Sequence, residues 1–419
     1  MAYSKRVLSA LAVVALVALP ALHAVNSPKP KVQAITGFIT IDAKSYPSQI
    51  EEAVKFLGQV RDGIRGAGYD VAGIRISTQP FPAYIRGLTR VEALRVLRGI
   101  DELAGKLGFA PNIGPAMIRD TDDTAAVDLL TDVLAAPGNR LNANIVTASA
   151  DGIHWNSVAQ AARIIKATGE RSPHGQGNFN FAAIAMLKPY GPFYPGAWHP
   201  GGGPRTFAIG LESANVVMDV FTRERDPRTV GKILTDALAL QAHAVEAAAL
   251  KVAAGTGWTY AGLDPTPAPG GQISIGAAVE SFIGAPFGSP GTETASGIIT
   301  RAVQAVPVKQ TGYSGLMLSV LEDARLKRRW TEGTYGLDSI LAYSAVCAGG
   351  VDTVPLAGDT SEETIARIVG DVATLAFKWN KPLAARLLPA PGKKVGEMTD
   401  FSGALANATI QPMIGSARR

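Results

Sequence analysis

The sequence predicts an α/β protein, a class in which buried strands alternate with helices that cover the sheet. Apolar and β-branched runs such as 34–41 and 71–77 are typical of strands that are buried on both faces. Segments with apolar residues at helical spacing separate these runs, and the alternation continues through most of the chain. About ten strands are expected. A closed barrel and an open, doubly wound sheet produce the same periodicity, so both architectures agree with the pattern.

The first half of the chain supplies five or six of these units. A helix is expected from Ser48, because Glu51 completes a capping box, and another from Thr89, which Glu92 completes in the same way. Further helices are expected at 123–134 and 157–167, with strands at 111–118, 144–149, 179–187 and 207–211.

The second half begins with a long alanine- and leucine-rich helix over 228–254, which ends at Gly255. Prolines in the following segment Asp264-Pro-Thr-Pro-Ala-Pro prevent either a helix or a strand from continuing. The remaining predicted strands are 259–263, 312–320, 351–356 and 384–388, and the remaining helices are 274–283, 292–306, 337–347 and 361–377, the last capped by Thr360 with Glu363.

The N-terminus has the features of an export signal. Lys5 and Arg6 precede an apolar run over 7–22, and Ala24 is a small residue at a plausible cleavage point. Leu22 is large for a peptidase site, so an uncleaved N-terminal anchor is the alternative. We expect a signal or anchor over 1–24, a linker over 25–33, one α/β domain over 34–413 and a tail over 414–419, in a periplasmic or extracellular protein.

The distribution of charge and the single cysteine restrict the kinds of partner and site that we expect. The net charge of +5 is dispersed, and its basic residues lack the interleaved aromatics of a nucleic-acid surface, so we expect no nucleic-acid partner. Because Cys347 is the only cysteine, no intramolecular disulfide and no multi-thiolate zinc site can form. A small-molecule ligand is the expected partner, and the sequence leaves the oligomeric state open.

Glu322 and Asp323 are the first candidates for catalysis. They directly follow an apolar run, and two adjacent carboxylates can divide acid and base roles or bind a divalent cation. The alternative is that they open a helix, since acidic residues stabilise the first helical turn. Cys347, at the end of an apolar helix and beside two glycines, is either a reactive thiol or a small buried residue.

A second set of residues is predicted to bind the substrate. Pro391-Gly-Lys-Lys places Lys393 and Lys394 on a turn suited to a phosphate or carboxylate. Arg386 lies within an apolar strand and must pair with an acid or reach solvent. The other members of this set lie in loops that follow strands or in the segment after Gly312: Glu212, Ser213, Tyr313 and Asp359.

Several segments together resemble an uncharacterised family, domain of unknown function 711, also named uncharacterised protein family 0210. They include Gly73-Ile-Arg-Ile-Ser-Thr, Phe207-Ala-Ile-Gly-Leu-Glu-Ser-Ala, Gly312-Tyr-Ser-Gly-Leu-Met and Pro389-Ala-Pro-Gly-Lys-Lys. The resemblance implies a ten-stranded α/β barrel like that of pyruvate formate-lyase and other glycyl radical enzymes. It does not imply their radical chemistry, because residues 407–419 contain no recognisable glycine-radical loop.

We therefore expect an exported enzyme that acts on a small polar or anionic molecule at the mouth of a barrel. A hydrolase, lyase or isomerase fits best, because these reactions need no redox cofactor. The sequence does not identify a cofactor, although Glu322 and Asp323 could bind a divalent cation. The alternative is a non-catalytic extracytoplasmic protein that binds a ligand at the same place.

Overall fold

The computed structural model describes residues 27–268, 270–403 and 407–413. The predicted export signal and the tail lie outside these residues. The strands are β1 (Lys31–Ile39), β2 (Ile74–Thr78), β3 (Ala110–Pro115), β4 (Asn142–Ser149), β5 (Gly152–Ile153), β6 (Phe181–Ala185), β7 (Thr206–Glu212), β8 (Thr259–Asp264), β9 (Gly350–Ala357) and β10 (Leu383–Ala390).

Twelve α-helices lie among the described residues, and most of them follow the predicted pattern. They are α1 (Tyr46–Gly66), α2 (Phe81–Tyr84), α3 (Arg90–Leu107), α4 (Ala125–Leu134), α5 (Trp155–Arg171), α6 (Ala214–Arg223), α7 (Val230–Ala253), α8 (Ile275–Ile283), α9 (Thr292–Gln304), α10 (Ala324–Thr331), α11 (Leu337–Tyr343) and α12 (Glu362–Trp379).

The strands form one mixed sheet in the order β8-β7-β1-β2-β3-β4-β6-β10-β9, with β5 paired to β4. β1, β2, β3, β4 and β6 are mutually parallel. The pairs β7–β8 and β9–β10 are also parallel, but they join this set through the antiparallel contacts β1–β7 and β6–β10. The α/β class and the number of strands are confirmed. The mixed direction of the strands could not be predicted from the sequence, because periodicity does not report the direction of a buried strand.

The hydrogen-bonded sheet does not close into a continuous barrel. Its end strands, β8 and β9, each make one isolated parallel bridge to the segment 310–322, through Leu263 with Gln310 and Ser319 with Asp352. A strand was predicted over 312–320, but Gly312 and Ser314 have φ angles of 73° and 47°. These left-handed conformations interrupt regular pairing. The segment therefore joins the two ends of the sheet only irregularly.

Helices pack against one face of the sheet and bury a continuous apolar core. The predicted capping box of Thr89 with Glu92 is confirmed at α3. The capping box predicted for Ser48 with Glu51 is wrong, because α1 begins before Ser48 and no side chain caps its N-terminus. Among the described helices, only α7 is long and apolar enough to span a membrane, and it packs on α1, α6 and α9.

Residues 188–200, here called the inner loop, pack against the other face of the sheet. Thr36 of β1 donates a hydrogen bond from its hydroxyl to the carbonyl oxygen of Pro192 at 2.8 Å. Asn112 and Asn144, from β3 and β4, both donate from their side-chain amides to the carbonyl oxygen of Pro195, at 2.9 and 2.8 Å. The strands thus hold the inner loop on the inner side of the sheet, where it forms one wall of a cavity.

Candidate functional site

A cavity of about 360 Å³ lies between the inner loop and the inner face of the sheet. Its charged side chains come from five strands and from the segment before α10, and no serine, threonine, cysteine or histidine of the described chain lines it. The lining comprises three cations (Lys31, Arg75, Arg386), three carboxylates (Glu212, Glu322, Asp352), four aromatic residues (Phe179, Phe193, Tyr194, Tyr313) and smaller or neutral residues.

Arg386 of β10 is held by two carboxylates in the cavity wall. Its Nε and Nη2 donate to the two oxygens of Asp352 at 2.6 and 3.1 Å, and Nη2 also donates to Glu322 Oε2 at 2.8 Å. The guanidinium stacks on Phe179, 5.0 Å from the ring centroid. Burial lowers the pKa of Arg386, but Asp352 and Glu322 outweigh this effect and leave the pKa above its usual value. Of the two predicted alternatives for Arg386, an acidic partner or access to solvent, the structure shows the acidic partner.

A bulge in β9 directs Asp352 towards Arg386. The pairing of β9 with β10 shifts between Ala385 and Leu387, so that Asp352 and Thr353 together lie opposite Arg386. Thr353 has a φ of 48°, which is rare for a β-branched residue. Its hydroxyl lies 2.5 Å from the Ser319 hydroxyl and accepts a hydrogen bond from the Leu321 amide at 3.1 Å. Because Ser319 donates to Glu322 at 2.7 Å, Thr353 is the donor to Ser319.

Arg75 of β2 projects into the same cavity but has no comparable partner. Among the described residues, no carboxylate lies within 4.0 Å of its guanidinium. The guanidinium stacks on Tyr194, with its central carbon 5.0 Å from the ring centroid. Burial lowers the pKa of Arg75, and the charge of Glu322 partly opposes this effect. Arginine nevertheless stays protonated in proteins, so the cavity contains an unpaired cation.

Glu212, at the carboxyl end of β7, forms another part of the lining. It lies opposite Lys31 in the antiparallel pairing of β7 with β1. A Cβ atom on Gly270 would overlap the Glu212 carboxylate, so this glycine provides the space that the side chain occupies. Burial raises the pKa of Glu212, and the ammonium group of Lys31 offsets part of the increase.

Asp264, at the end of β8, positions Tyr313. Its carboxylate accepts hydrogen bonds from the Tyr313 amide at 2.7 Å, the Ser314 amide at 3.2 Å and the Thr266 amide at 3.0 Å. Asp264 is fully buried, and burial raises its pKa to about 6 despite these hydrogen bonds. It therefore fixes the loops behind the cavity wall, and Tyr313 presents its ring to the cavity.

The structure brings Glu212, Tyr313, Glu322 and Arg386 together in this cavity, whereas other predicted site residues lie elsewhere. Asp323 is buried and caps α10, accepting hydrogen bonds from Leu326, Ile275 and Ser274. This arrangement agrees with the helix-capping alternative. Two more predicted residues are buried and do not line the cavity: Cys347 and Ser213, whose hydroxyl donates to the Pro265 carbonyl oxygen at 3.0 Å.

The turn after β10 also lies outside this lining. Lys393 is partly buried, with its ammonium group 3.7 Å from Asp400, while Lys394 and Asp359 are exposed. The described residues contain no cluster of three or more histidine, cysteine, aspartate or glutamate side chains placed to hold a metal ion.

Lys31, Arg75 and Asp352 were missed by the sequence analysis. Asp352 carries a charge within a strand whose other residues are mainly apolar, and Arg75 lies between Ile74 and Ile76 in β2. A charge in an apolar strand needs a partner or solvent. This reason identified Arg386 in the sequence, and it applies equally to Arg75 and Asp352. Lys31 precedes the first predicted strand and carries no such signal.

Comparison with known proteins identifies relatives over almost the whole chain. A family model described as Uncharacterised ACR (DUF711) matches residues 25–402. A UPF0210 protein from Desulforudis audaxviator is 29% identical over 366 residues, which cover 83% of this chain and 80% of the relative. UPF0210 proteins from Pyrobaculum aerophilum and Methanopyrus kandleri are 28% and 29% identical, covering 87% and 86% of this chain and 84% and 82% of the relatives.

Proposed function

This chain belongs to the family described as Uncharacterised ACR (DUF711), and we propose that it is an exported enzyme whose central cavity binds a small anionic molecule through Arg75. The reaction class that we propose is a hydrolysis, elimination or isomerisation that depends on acid–base chemistry. The expected role of Lys393 and Lys394 as anion anchors is replaced by Arg75, because the two lysines do not line the cavity.

The observation that carries the proposal is the contrast between the two arginines of the cavity. Arg386 has two carboxylate partners, whereas Arg75 has none among the described residues. Arg75 is half-buried, and a charge that is partly removed from water without a partner is unfavourable, so an anionic ligand would supply the missing partner. The planar guanidinium can bind a carboxylate or phosphate through two parallel hydrogen bonds. Its stacking on Tyr194 restrains its orientation before a ligand arrives.

The cavity lining supports acid–base chemistry as the proposed mode of catalysis. It offers Glu212, Glu322, Tyr313 and Lys31 as groups that exchange protons, and none of its described residues is a serine, threonine, cysteine or histidine. We assign Glu322 mainly to holding Arg386, because its Oε2 already accepts hydrogen bonds from Arg386 and Ser319.

Binding is tested by isothermal titration calorimetry with small carboxylates, phosphate monoesters and neutral analogues of similar size. Arg75→Gln is expected to weaken anion binding by about 10-fold to 100-fold, since it removes hydrogen bonds between two charged groups. Arg98→Gln is the matched control, because Arg98 is exposed on α3 and outside the cavity. Unchanged affinity in Arg75→Gln, or a preference for the neutral analogues, would contradict the proposal.

The catalytic part of the proposal is tested by following the bound anions for conversion by mass spectrometry. Conversion that requires the intact cavity would support the enzyme. Tight binding of one anion without conversion would instead support the alternative, a non-catalytic extracytoplasmic ligand-binding protein.

Export rests on the N-terminal pattern of Lys5, Arg6 and the apolar run over 7–22. The family match begins at residue 25, directly after this segment, which supports treating 1–24 as a separate signal or anchor. N-terminal sequencing of the protein purified from its native cell is expected to begin near residue 25 if the signal is cleaved. A soluble cytoplasmic chain that begins at Met1 would contradict export.

A further inference from the structure

We propose that Glu212 is the proton-transfer residue of the cavity, acting on a small 2-oxo acid whose carboxylate is bound by Arg75. This inference rests on the proposed function, since Arg75 must first hold the anion. It adds the reacting group, the substrate class and the chemical step.

Glu212 is positioned to contact a ligand in the cavity. Its side chain lines the cavity, and no described residue donates a hydrogen bond to its carboxyl group. The close approach of Gly270, where any Cβ would overlap this carboxylate, fixes the side chain against one wall. Its oxygens are therefore free to contact a ligand, whereas a carboxylate with a purely structural role is normally satisfied by neighbouring donors.

The other two carboxylates of the cavity are already engaged. Asp352 accepts hydrogen bonds from Arg386 on both oxygens, and Glu322 accepts from Arg386 and Ser319. A proton transferred to either group would weaken its hold on a buried guanidinium. Glu212 has no such partner and can change its protonation state without breaking an ion pair.

The charged groups around Glu212 favour removal of a proton from a carbon atom next to a carbonyl group. Lys31 faces it from β1, while Pro267 and Gly270 pack on it without adding charge. The other titratable groups of the cavity are Arg75, Tyr194, Tyr313, Glu322, Asp352 and Arg386. Lys31 is exposed, but its positive charge acts on Glu212 across the strand pair, because it lowers the pKa of that carboxyl group, and the same charge would favour negative charge on a carbonyl oxygen bound beside Glu212. The raised pKa of Glu212 makes its carboxylate a stronger base than an exposed glutamate.

The proposed step balances within the protein and its substrate. The Glu212 carboxylate takes a proton from the carbon next to the carbonyl, the electron pair of that C–H bond forms a C=C double bond, and the π pair of the C=O bond moves to the carbonyl oxygen. The products are an enolate and protonated Glu212. If the proton on Glu212 is replaced by one from solvent before it returns to the same carbon, the substrate exchanges hydrogen with solvent, and return of a proton to another atom isomerises the substrate. No oxidant or reductant takes part.

The experiment measures hydrogen–deuterium exchange into pyruvate and 2-oxobutanoate in D2O by proton NMR, using the full chain. The neutral ketone butanone serves as the probe without a carboxylate. The wild-type protein is expected to accelerate exchange of the two acids above the protein-free rate, and not that of butanone. Glu212→Gln keeps the shape of the side chain and is expected to reduce the accelerated rate by at least about 100-fold.

Two further variants serve as controls for Glu212→Gln. Glu51→Gln, an exposed change of the same kind on α1, is expected to leave the exchange rate unchanged. Glu212→Asp keeps an ionisable carboxylate but withdraws it from the substrate, so it is expected to retain part of the rate. If Glu212→Gln fails to fold, the comparison of Glu212→Asp with wild type decides, because an unchanged rate in Glu212→Asp would overturn the role of the carboxylate.

The outcomes differ for the two proposals. Unchanged exchange in Glu212→Gln, or no exchange of either acid by wild type, overturns the role of Glu212. If Arg75→Gln still weakens pyruvate binding in calorimetry, the anion site stands despite that failure. If Arg75→Gln leaves pyruvate binding unchanged, the anion site itself fails.

Discussion

Arg75 and Arg386 show how one residue type can have different roles in one cavity. Both project from strands into the same space, and both stack on an aromatic ring. Arg386 completes its interactions with Asp352 and Glu322, so its charge is compensated within the wall. Arg75 lacks a carboxylate partner among the described residues, and its charge is available to a ligand. At the scale of single residues, an arginine with carboxylate partners in the wall has a structural role, whereas one without such a partner is available to bind a ligand.

Arg386→Met is expected to destabilise the protein by about 3–5 kcal/mol, because it leaves Asp352 and Glu322 as unpaired charges in the wall. Urea unfolding followed by circular dichroism measures the change. The double variant Arg386→Met/Asp352→Leu is expected to recover part of the loss, since one unpaired charge is removed. A loss below about 1 kcal/mol in the single variant would show that solvent reaches these carboxylates freely.

At the scale of the element, β9 is shaped by its bulge at Asp352 and Thr353. In a regular strand neighbouring side chains point to opposite faces, and one extra residue changes which of them face the cavity. The left-handed conformation of Thr353 is stabilised by the hydroxyl chain that runs through Ser319 to Glu322. The bulge thereby links the orientation of Asp352 to that of Glu322, and both carboxylates reach the same guanidinium.

Thr353→Val is expected to cost about 2 kcal/mol of stability, because the Leu321 amide and the Ser319 hydroxyl each lose a buried partner. Valine keeps the size and branching of threonine, so the change isolates the hydroxyl group. Chemical denaturation measures the loss. Thr374→Val on α12 is the control, since its hydroxyl only donates to the helical carbonyl of Gly370. Equal effects of the two variants would argue against the bulge as a specific support.

At the scale of the whole molecule, the site depends on two oppositely directed sets of strands. The antiparallel contact of β1 with β7 places Lys31, near the start of one strand, beside Glu212, at the end of the other. β2 and β10 contribute Arg75 and Arg386 to the same cavity, and the inner loop closes one side of it. The cavity lining therefore comes from strands that run in opposite directions. A site in a uniformly parallel sheet is instead built at the carboxyl ends of its strands.

Gly196→Ala tests whether the inner loop shapes the cavity. A Cβ atom at this position would overlap the Tyr313 hydroxyl and lie 3.0 Å from Ile184, so either the loop or the Tyr313 ring must move. A loss of about 1–3 kcal/mol is expected from this overpacking, together with weaker binding of the anions that bind through Arg75.

Gly66→Ala is the matched control, because no atom lies within 4 Å of a Cβ built there. It is expected to be neutral or slightly stabilising, since alanine is favoured over glycine in a helix. Thermal unfolding and calorimetry with pyruvate measure both effects. If Gly196→Ala behaves like the control, the inner loop does not constrain Tyr313.

Local patterns in the sequence were sufficient for the class of the fold and for much of its helical content. The capping box at Thr89 was recognisable because its two residues lie three positions apart. The need of Arg386 for either an acidic partner or contact with solvent was likewise evident from its apolar surroundings. Hydrophobic periodicity and capping act over a few residues, so a single sequence displays them directly.

The tertiary structure decided which of these residues meet. The sequence left Asp323 open as a helix cap or a catalytic acid, and the structure shows the Ser274 hydroxyl and the Ile275 amide donating to its carboxylate. Arg75 and Glu212 lie more than a hundred positions apart, and only the pairing and direction of the strands bring them to one cavity. Strand direction depends on contacts between distant segments, because a strand buried on both faces is apolar whichever way it runs.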